Sequence, residues 1–337
     1  MFKKIFFFIL IMAPIMVFAQ VEWMNPSILS KNNEKPHATF IPYSTVEGAY
    51  KNDYSNSPLF KSLNGKWLFS LCKNPNERPK EFWQNNYNTS GWKKIPVPSN
   101  WELQGYDYPI YVNIPYEFTK NPVPPFVPED YNPVGLYKTK FSIPGNWKDK
   151  RVFIHFRDVK SYMNVWLNGE FVGMNKGSKM PAEFDITDKI EKGNNDLSVE
   201  VFRFSDASYL ECQDFWRISG IEGDVYIYAT DEIRIKDFFA DAGLENNYKD
   251  GILKLTVDIK NYGKEKIGYN LEYKILDKSG KVIVSDINSH SISEASDKQI
   301  TFNKKIEDVK KWSAETPHLY SLILILKDPK NNIIEDL

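Results

Sequence analysis

The sequence predicts an all-β chain, a jelly-roll β-sandwich followed by an immunoglobulin-like β-sandwich. Three observations carry this. Short runs of alternating apolar and polar residues recur along most of the 337 residues, the period-2 pattern of strands with one buried face. Turn residues punctuate these runs at short spacing, above all Asn168-Gly169 between two apolar stretches, while sustained helical periodicity is almost lacking. A composition shift near Thr230-Asp231 separates a Trp- and Pro-rich first part from a Lys-rich, simply alternating second part.

The elements follow in order. Residues 20–58 are polar and irregular and are expected to run over the surface of the first unit, residues 59–230. That unit opens with Trp67, Phe69 and Leu71 alternating with Leu68, Ser70 and Cys72. Residues 79–87 read as a short helical turn, and Pro96 and Pro98 hold 92–98 extended. Between Trp101 and Gly135 lie Pro109, Pro115, Pro122, Pro124, Pro125, Pro128 and Pro133, which exclude a helix and any central strand. A loop this long belongs either to a binding surface or to a contact with a neighbouring domain, and the two are compatible.

Residues 136–143 and 151–156 alternate as strands. Residues 163–167 and 170–173 flank Asn168-Gly169, a hairpin whose type I′ turn needs positive φ at both central positions. Residues 184–186 precede a short helical turn at 188–191, and 197–202 alternate again. In the second unit, residues 231–337, strands are expected at 252–259, 269–276 and 319–326, with a hairpin turn at 278–281. About 100 residues of this pattern fit an immunoglobulin-like sandwich.

Aromatic residues make up 15% of the chain, which suits sandwich cores and carbohydrate contact equally. The net charge of −1 recommends neither nucleic acid nor an anionic membrane as partner. Lys3, Lys4, the apolar run 5–18 and the Val17-Phe18-Ala19 site form a signal peptide over residues 1–19. The apolar run is ~14 residues against the ~20 a membrane span needs. Export to the periplasm or medium is therefore expected, with cleavage before Gln20, leaving 41 basic against 44 acidic residues. Cys72 and Cys212 are expected to be unpaired. The four histidines are dispersed, without an H-E-x-x-H pattern, so metal hydrolysis has no sequence support.

The stretch RFSDASYLECQDFWRISGIEGDV, residues 203–225, holds the candidate chemistry. Its carboxylates Asp206, Glu211 and Asp214 stand among Tyr209, Phe215 and Trp216. Such carboxylates accept from sugar hydroxyls or pair with an arginine to staple a loop. Asp214 and Glu211 are expected to pair with Arg217, which leaves Asp206 free at a strand end beside small Ala207 and Ser208. There a ligand role and a turn-capping role stand side by side.

SDASYLECQDFWRISGI resembles the segment that closes the sugar-binding domain of family 2 glycoside hydrolases, in particular the large β-galactosidases. Further motifs agree in order: SLNGKWLF at 62–69, VPSNWELQGYDYPIYVNIPY at 97–116, NPVPPFVPEDYNPVGLY at 121–137, WLNGEFVG at 166–173, PAEFDIT at 181–187 and WSAETPHLY at 312–320. The resemblance implies retaining hydrolysis of terminal β-D-galactosides by two glutamates on a (β/α)₈ barrel that follows the two sandwiches. The 337 residues contain no alternating strand–helix stretch of the ~200 residues a barrel needs. The two Asn-Glu pairs, Asn33-Glu34 and Asn76-Glu77, lie in irregular chain. No catalytic residue is therefore assigned, and the chain alone is expected not to hydrolyse a galactoside.

The resemblance places Asn121 and Asp206 against the sugar. Asn121-Pro122-Val123 carries extra residues before Pro124-Pro125-Phe126-Val127, a departure from the family pattern. It also implies an alkali cation, sodium, at Asp206 with further ligands from the barrel, and magnesium within the barrel. The implied partners are a β-galactoside and the barrel; a homo-oligomer is compatible with them. The other readings are a free-standing carbohydrate-binding module and a part of another family 2 hydrolase, such as a β-glucuronidase or β-mannosidase.

Overall fold

The computed structural model describes residues 21–211 and 214–337. The expected signal peptide and Cys212 lie outside the described residues; Cys72 is a free thiol. The described chain is almost all β.

In the first unit the strands are β1 (Ser30–Lys31), β2 (Phe60–Ser62), β3 (Gly65–Cys72), β4 (Lys93–Val97), β5 (Ser99–Asn100), β6 (Ile110–Val112), β7 (Val134–Ser142) and β8 (Arg151–Phe156). They continue with β9 (Val159–Lys160), β10 (Tyr162–Leu167), β11 (Glu170–Asn175), β12 (Ala182–Asp185), β13 (Asn194–Phe202), β14 (Phe215–Arg217), β15 (Gly220–Ile221) and β16 (Val225–Thr230). A seven-stranded sheet in the order β1-β11-β10-β13-β7-β3-β4 faces a four-stranded sheet β12-β8-β16-β2. Trp67, Phe69, Val165, Val199 and Val201 from the first meet Ile154, Phe156, Val225 and Ile227 from the second in one buried core. The hairpin β10–β11 turns at Asn168 (φ 54°) and Gly169 (φ 85°), the two positive φ values its Asn-Gly sequence requires.

The second unit comprises β17 (Ile233–Glu245), β18 (Asp250–Asn261), β19 (Ile267–Leu276), β20 (Val282–Ile292), β21 (Ser296–Ile306), β22 (Ser321–Lys327) and β23 (Ile333–Asp336). Sheets β17-β18-β21 and β20-β19-β22-β23 close on Leu255, Val257, Ile259, Leu271, Tyr273 and Leu326. From Ile252 to Asn261 the alternation in β18 is complete: the even-numbered positions are exposed or half-exposed and the odd-numbered ones buried.

The N-terminal segment differs from the expectation of a surface wrapping on the first unit alone. β1 adds to the edge of β11, Ile41 packs with Phe153, Tyr226 and Tyr228 on the far face of the four-stranded sheet, and Tyr43 pairs with Asp336 of the second unit. A helix, α1 (Val46–Lys51), is capped by Thr45, whose side chain accepts from the Gly48 N–H. This cover explains why β8 is buried on both faces instead of alternating.

Gly173 lies where β11 meets β1. A Cβ there would stand 2.5 Å from the Phe184 ring and 2.6 Å from the Lys31 carbonyl. Gly173→Ala is expected to destabilise the chain by about 1–3 kcal/mol through overpacking. Urea unfolding of the variant measures it, and an unchanged midpoint would mean that β1 detaches freely from the edge.

Candidate functional site

Two segments meet at one end of the first sandwich: the Pro-rich loop 101–133 and the chain leaving β13. After Phe202 the backbone turns into a short 3-10 helix, Asp206–Tyr209. Ser205 and Ser208 cap it reciprocally; the Ser205 N–H donates to Ser208 Oγ at 3.1 Å, and Ser161 Oγ lies 2.6 Å from Ser205 Oγ. The capping role that sequence left open for Asp206 is thus held by the two serines.

Asp206 is not free. Its side chain is buried, and Lys176 Nζ donates to both Oδ1 and Oδ2 at 2.9 Å. The Ala207 N–H donates to Oδ1 at 2.9 Å. The same ammonium donates to the carbonyls of Glu22 (3.1 Å) and Asn25 (2.9 Å). The expected pairing of Glu211 and Asp214 with Arg217 is also corrected. Glu211 accepts from Ser178 N–H and Oγ. Burial pushes its carboxyl up, against those two bonds. Asp214 accepts from the Tyr111 hydroxyl at 2.7 Å. Arg217 is buried with its Nε 3.4 Å from Glu117 and donates to the Val112 carbonyl at 3.2 Å. Each true partner lies 30 residues or more away in sequence, so proximity along the chain misled the pairing.

The Pro-rich loop is therefore stapled rather than loose. β6 pairs with β14, which places Tyr111 beside Trp216 with ring centroids 5.6 Å apart. Arg203 is buried between Asp107, Glu102 and the carbonyls of Tyr108 and Arg217. Burial pushes the Glu102 carboxyl up to about 7, opposed by the Ser219 N–H and the Arg203 charge.

Asn121 sits on an exposed arch of the loop. Its backbone N–H donates to Thr119 Oγ1 at 3.1 Å. The Tyr209 hydroxyl donates to the Phe126 carbonyl at 2.6 Å, and Phe118 packs on Phe204 and Tyr209. The Asn121 arch and the Asp206 helix are thus tied together. Along the same two segments the aromatic side chains of Tyr108, Tyr111, Phe126 and Trp216 stay at least half exposed. A cleft of about 750 Å³ lies elsewhere, over the far face of the four-stranded sheet between Tyr54, Phe60, His155 and Tyr226, and includes neither Asn121 nor Asp206.

The donor set at Asp206 does not suit the sodium implied by the resemblance. A lysine ammonium already supplies the positive charge at both carboxylate oxygens, and a second cation beside it would be repelled. Among the described residues no group of three or more His, Cys, Asp or Glu could hold a metal.

Comparison with known proteins bears on the family of the two units. The model for the sugar binding domain of glycosyl hydrolases family 2 matches residues 60–231, and a second model, glycosyl hydrolases family 2, matches residues 233–337. The chain belongs to glycosyl hydrolase family 2. Among curated family 2 relatives, a beta-galactosidase of Priestia megaterium is 44% identical over 318 residues, 93% of this chain and 31% of the relative. A beta-galactosidase of Clostridium acetobutylicum is 38% identical over 319 residues, 94% of this chain and 34% of the relative. The chain spans about a third of the length of the relatives it matches. The crystal structure of a Bacteroides uniformis beta-glucuronidase superposes with a TM-score of 0.69 at 18% identity, over 82% of this chain and 31% of that one. That likeness concerns the family 2 fold.

Proposed function

We propose that this chain forms the sugar-binding and scaffold part of a retaining β-galactosidase acting on terminal β-D-galactosides. The observation that carries the reading is the junction of the Asn121 arch and the Asp206 helix through Tyr209, on two segments that also expose Tyr108, Tyr111, Phe126 and Trp216. Exposed aromatics clustered beside polar groups suit a sugar ring or a partner surface. The Asn121 amide both donates and accepts, which matches sugar hydroxyls. The identity to beta-galactosidases along nearly the whole chain supports that substrate class. The catalytic carboxylate pair would come from a barrel, and the chain supplies contacts to its mouth.

Two arms test this. The 337-residue chain alone should release no nitrophenol from a chromogenic β-galactoside. When it replaces the matching third of the Priestia enzyme, the chimera should be active, and Asn121→Ala in that chimera should raise KM by about 10-fold, the worth of a lost hydrogen bond of about 1–1.5 kcal/mol. Hydrolysis by the rigorously purified chain, or a folded chimera indifferent to Asn121, would overturn the reading. Export is proposed from Lys3, Lys4 and Val17-Phe18-Ala19; N-terminal sequencing should find Gln20 first, and an intact Met1 would remove it.

A further inference from the structure

We infer that Lys176 is the resident cation of the Asp206 site, held in a four-oxygen cage that an added alkali cation would otherwise need to fill. The inference goes beyond the sugar reading and does not depend on it. An ammonium has three protons and no acceptor. Here they meet the two Asp206 oxygens and the carbonyls of Glu22 and Asn25, all at 2.9–3.1 Å. Lys176 is 3% exposed and Asp206 9%. Taking both charges out of water is costly, and only a fully coordinated pair offsets it.

The cage is assembled from three distant stretches of chain. Lys176 follows β11 directly, and its own N–H donates to the Leu29 carbonyl at 3.2 Å. Glu22 and Asn25 belong to the N-terminal segment, whose Met24 sulfur accepts from the Val127 N–H of the Pro-rich loop at 3.5 Å. Met24, Val127 and Phe204 form one small buried cluster. Lys176 therefore binds the N-terminal segment to the Asp206 helix while that segment also holds the loop carrying Asn121. It is a positioning residue as well as a charge. Carbonyl and carboxylate oxygens around one small cation are also the hard-oxygen environment that alkali ions take, so the cage without its lysine becomes a site for a monovalent ion of similar size.

The test is thermal unfolding of the chain and of Lys176→Ala in choline, sodium, potassium and ammonium chlorides at equal ionic strength. Choline is too large for the cage. The unchanged chain should melt at one temperature in all four salts. Lys176→Ala should melt lower in choline by about 5 °C or more, as when a buried carboxylate loses its partner, and regain stability saturably in ammonium or potassium. Saturable sodium or potassium stabilisation of the unchanged chain, or a variant indifferent to every ion, overturns the inference. If Lys176→Ala does not fold in any salt, NMR of the unchanged chain decides. A solvent-protected lysine ammonium with a nuclear Overhauser contact to the Ala207 N–H supports the cage, and its absence overturns it.

Discussion

Glu183→Ala should be among the most damaging single changes in this chain, lowering stability by about 3–5 kcal/mol, the cost of breaking a buried charged network from one side. Glu183 lies within β12 with its side chain buried. Its Oε1 accepts from the Tyr228 hydroxyl at 2.7 Å and lies 3.0 Å from His37 Nε2, while Oε2 lies 2.9 Å from His155 Nδ1. Buried Arg234, the second residue of β17, stacks on Phe153 and Tyr228 with its guanidinium 4.6 and 5.4 Å from the rings. Without the carboxylate, the arginine loses one of the two carboxylates that compensate its charge, the other being Glu335, and Tyr228 loses its acceptor.

The pH dependence follows from the same contacts. Burial pushes the Glu183 carboxyl up, but the His155 and His37 hydrogen bonds outweigh it and hold the carboxyl well below its usual value of 4.5. Its contribution is present above about pH 4.5 and is lost as pH falls through the depressed folded value. Burial pushes His37 down, and Glu183 more than reverses this, so its pKa ends above 6.5. That contribution is full below about pH 6.5 and fades as pH rises through the raised folded value. The stability gap between the unchanged chain and Glu183→Gln, read by urea unfolding, should thus be wider near pH 5.5 than at pH 8.5. A gap of the same size at both would detach His37 from the network.

Much of this architecture is legible in sequence because its signals are local. The Asn168-Gly169 turn, the alternation in 252–259 and the prolines of 101–135 each constrain φ or burial at the residue itself. What escaped was carried by long-range pairing. Nothing in the sequence near Arg217 points to Glu117, and nothing around Asp206 points to Lys176, which reads as one more polar residue after a hairpin. Buried charges must be paired, but that rule names no partner, and the nearest carboxylate in sequence was the wrong one. The N-terminal segment looked irregular because its role is to cover other elements rather than to form one. Asn121 is proposed from its motif alone, whereas the tie from Tyr209 to Phe126 that joins its arch to Asp206 is visible only in the fold.

Arg203→Ala should cost about 3–5 kcal/mol and loosen the loop that carries Asn121. Arg203 is the first residue after β13. Its guanidinium donates to Asp107, to the Tyr131 hydroxyl at 3.4 Å and to the carbonyls of Tyr108 and Arg217, both at 3.2 Å, and forms an ion pair with Glu102 at 3.7 Å. It also lies over the Tyr108 and Phe204 rings, 5.6 and 5.4 Å from their centroids. Asp107 in turn accepts from the Tyr131 hydroxyl at 2.7 Å, so one side chain fastens both ends of the proline-rich stretch. Alanine leaves Asp107 and Glu102 buried without a cation. Glu102 already has its carboxyl raised to about 7, and a raised acid weakens folding as pH climbs from about 4.5 through that value. Losing Arg203 should raise it further and steepen that decline. Lysine is no substitute, because a point charge cannot reproduce the planar fork. Hydrogen exchange across residues 105–131 reads the loosening directly. The expected result is faster exchange there with the second sandwich unchanged, and a lower melting temperature above pH 7 than at pH 5. Unaltered exchange in 105–131 would show that the prolines and Arg217 hold the loop without Arg203.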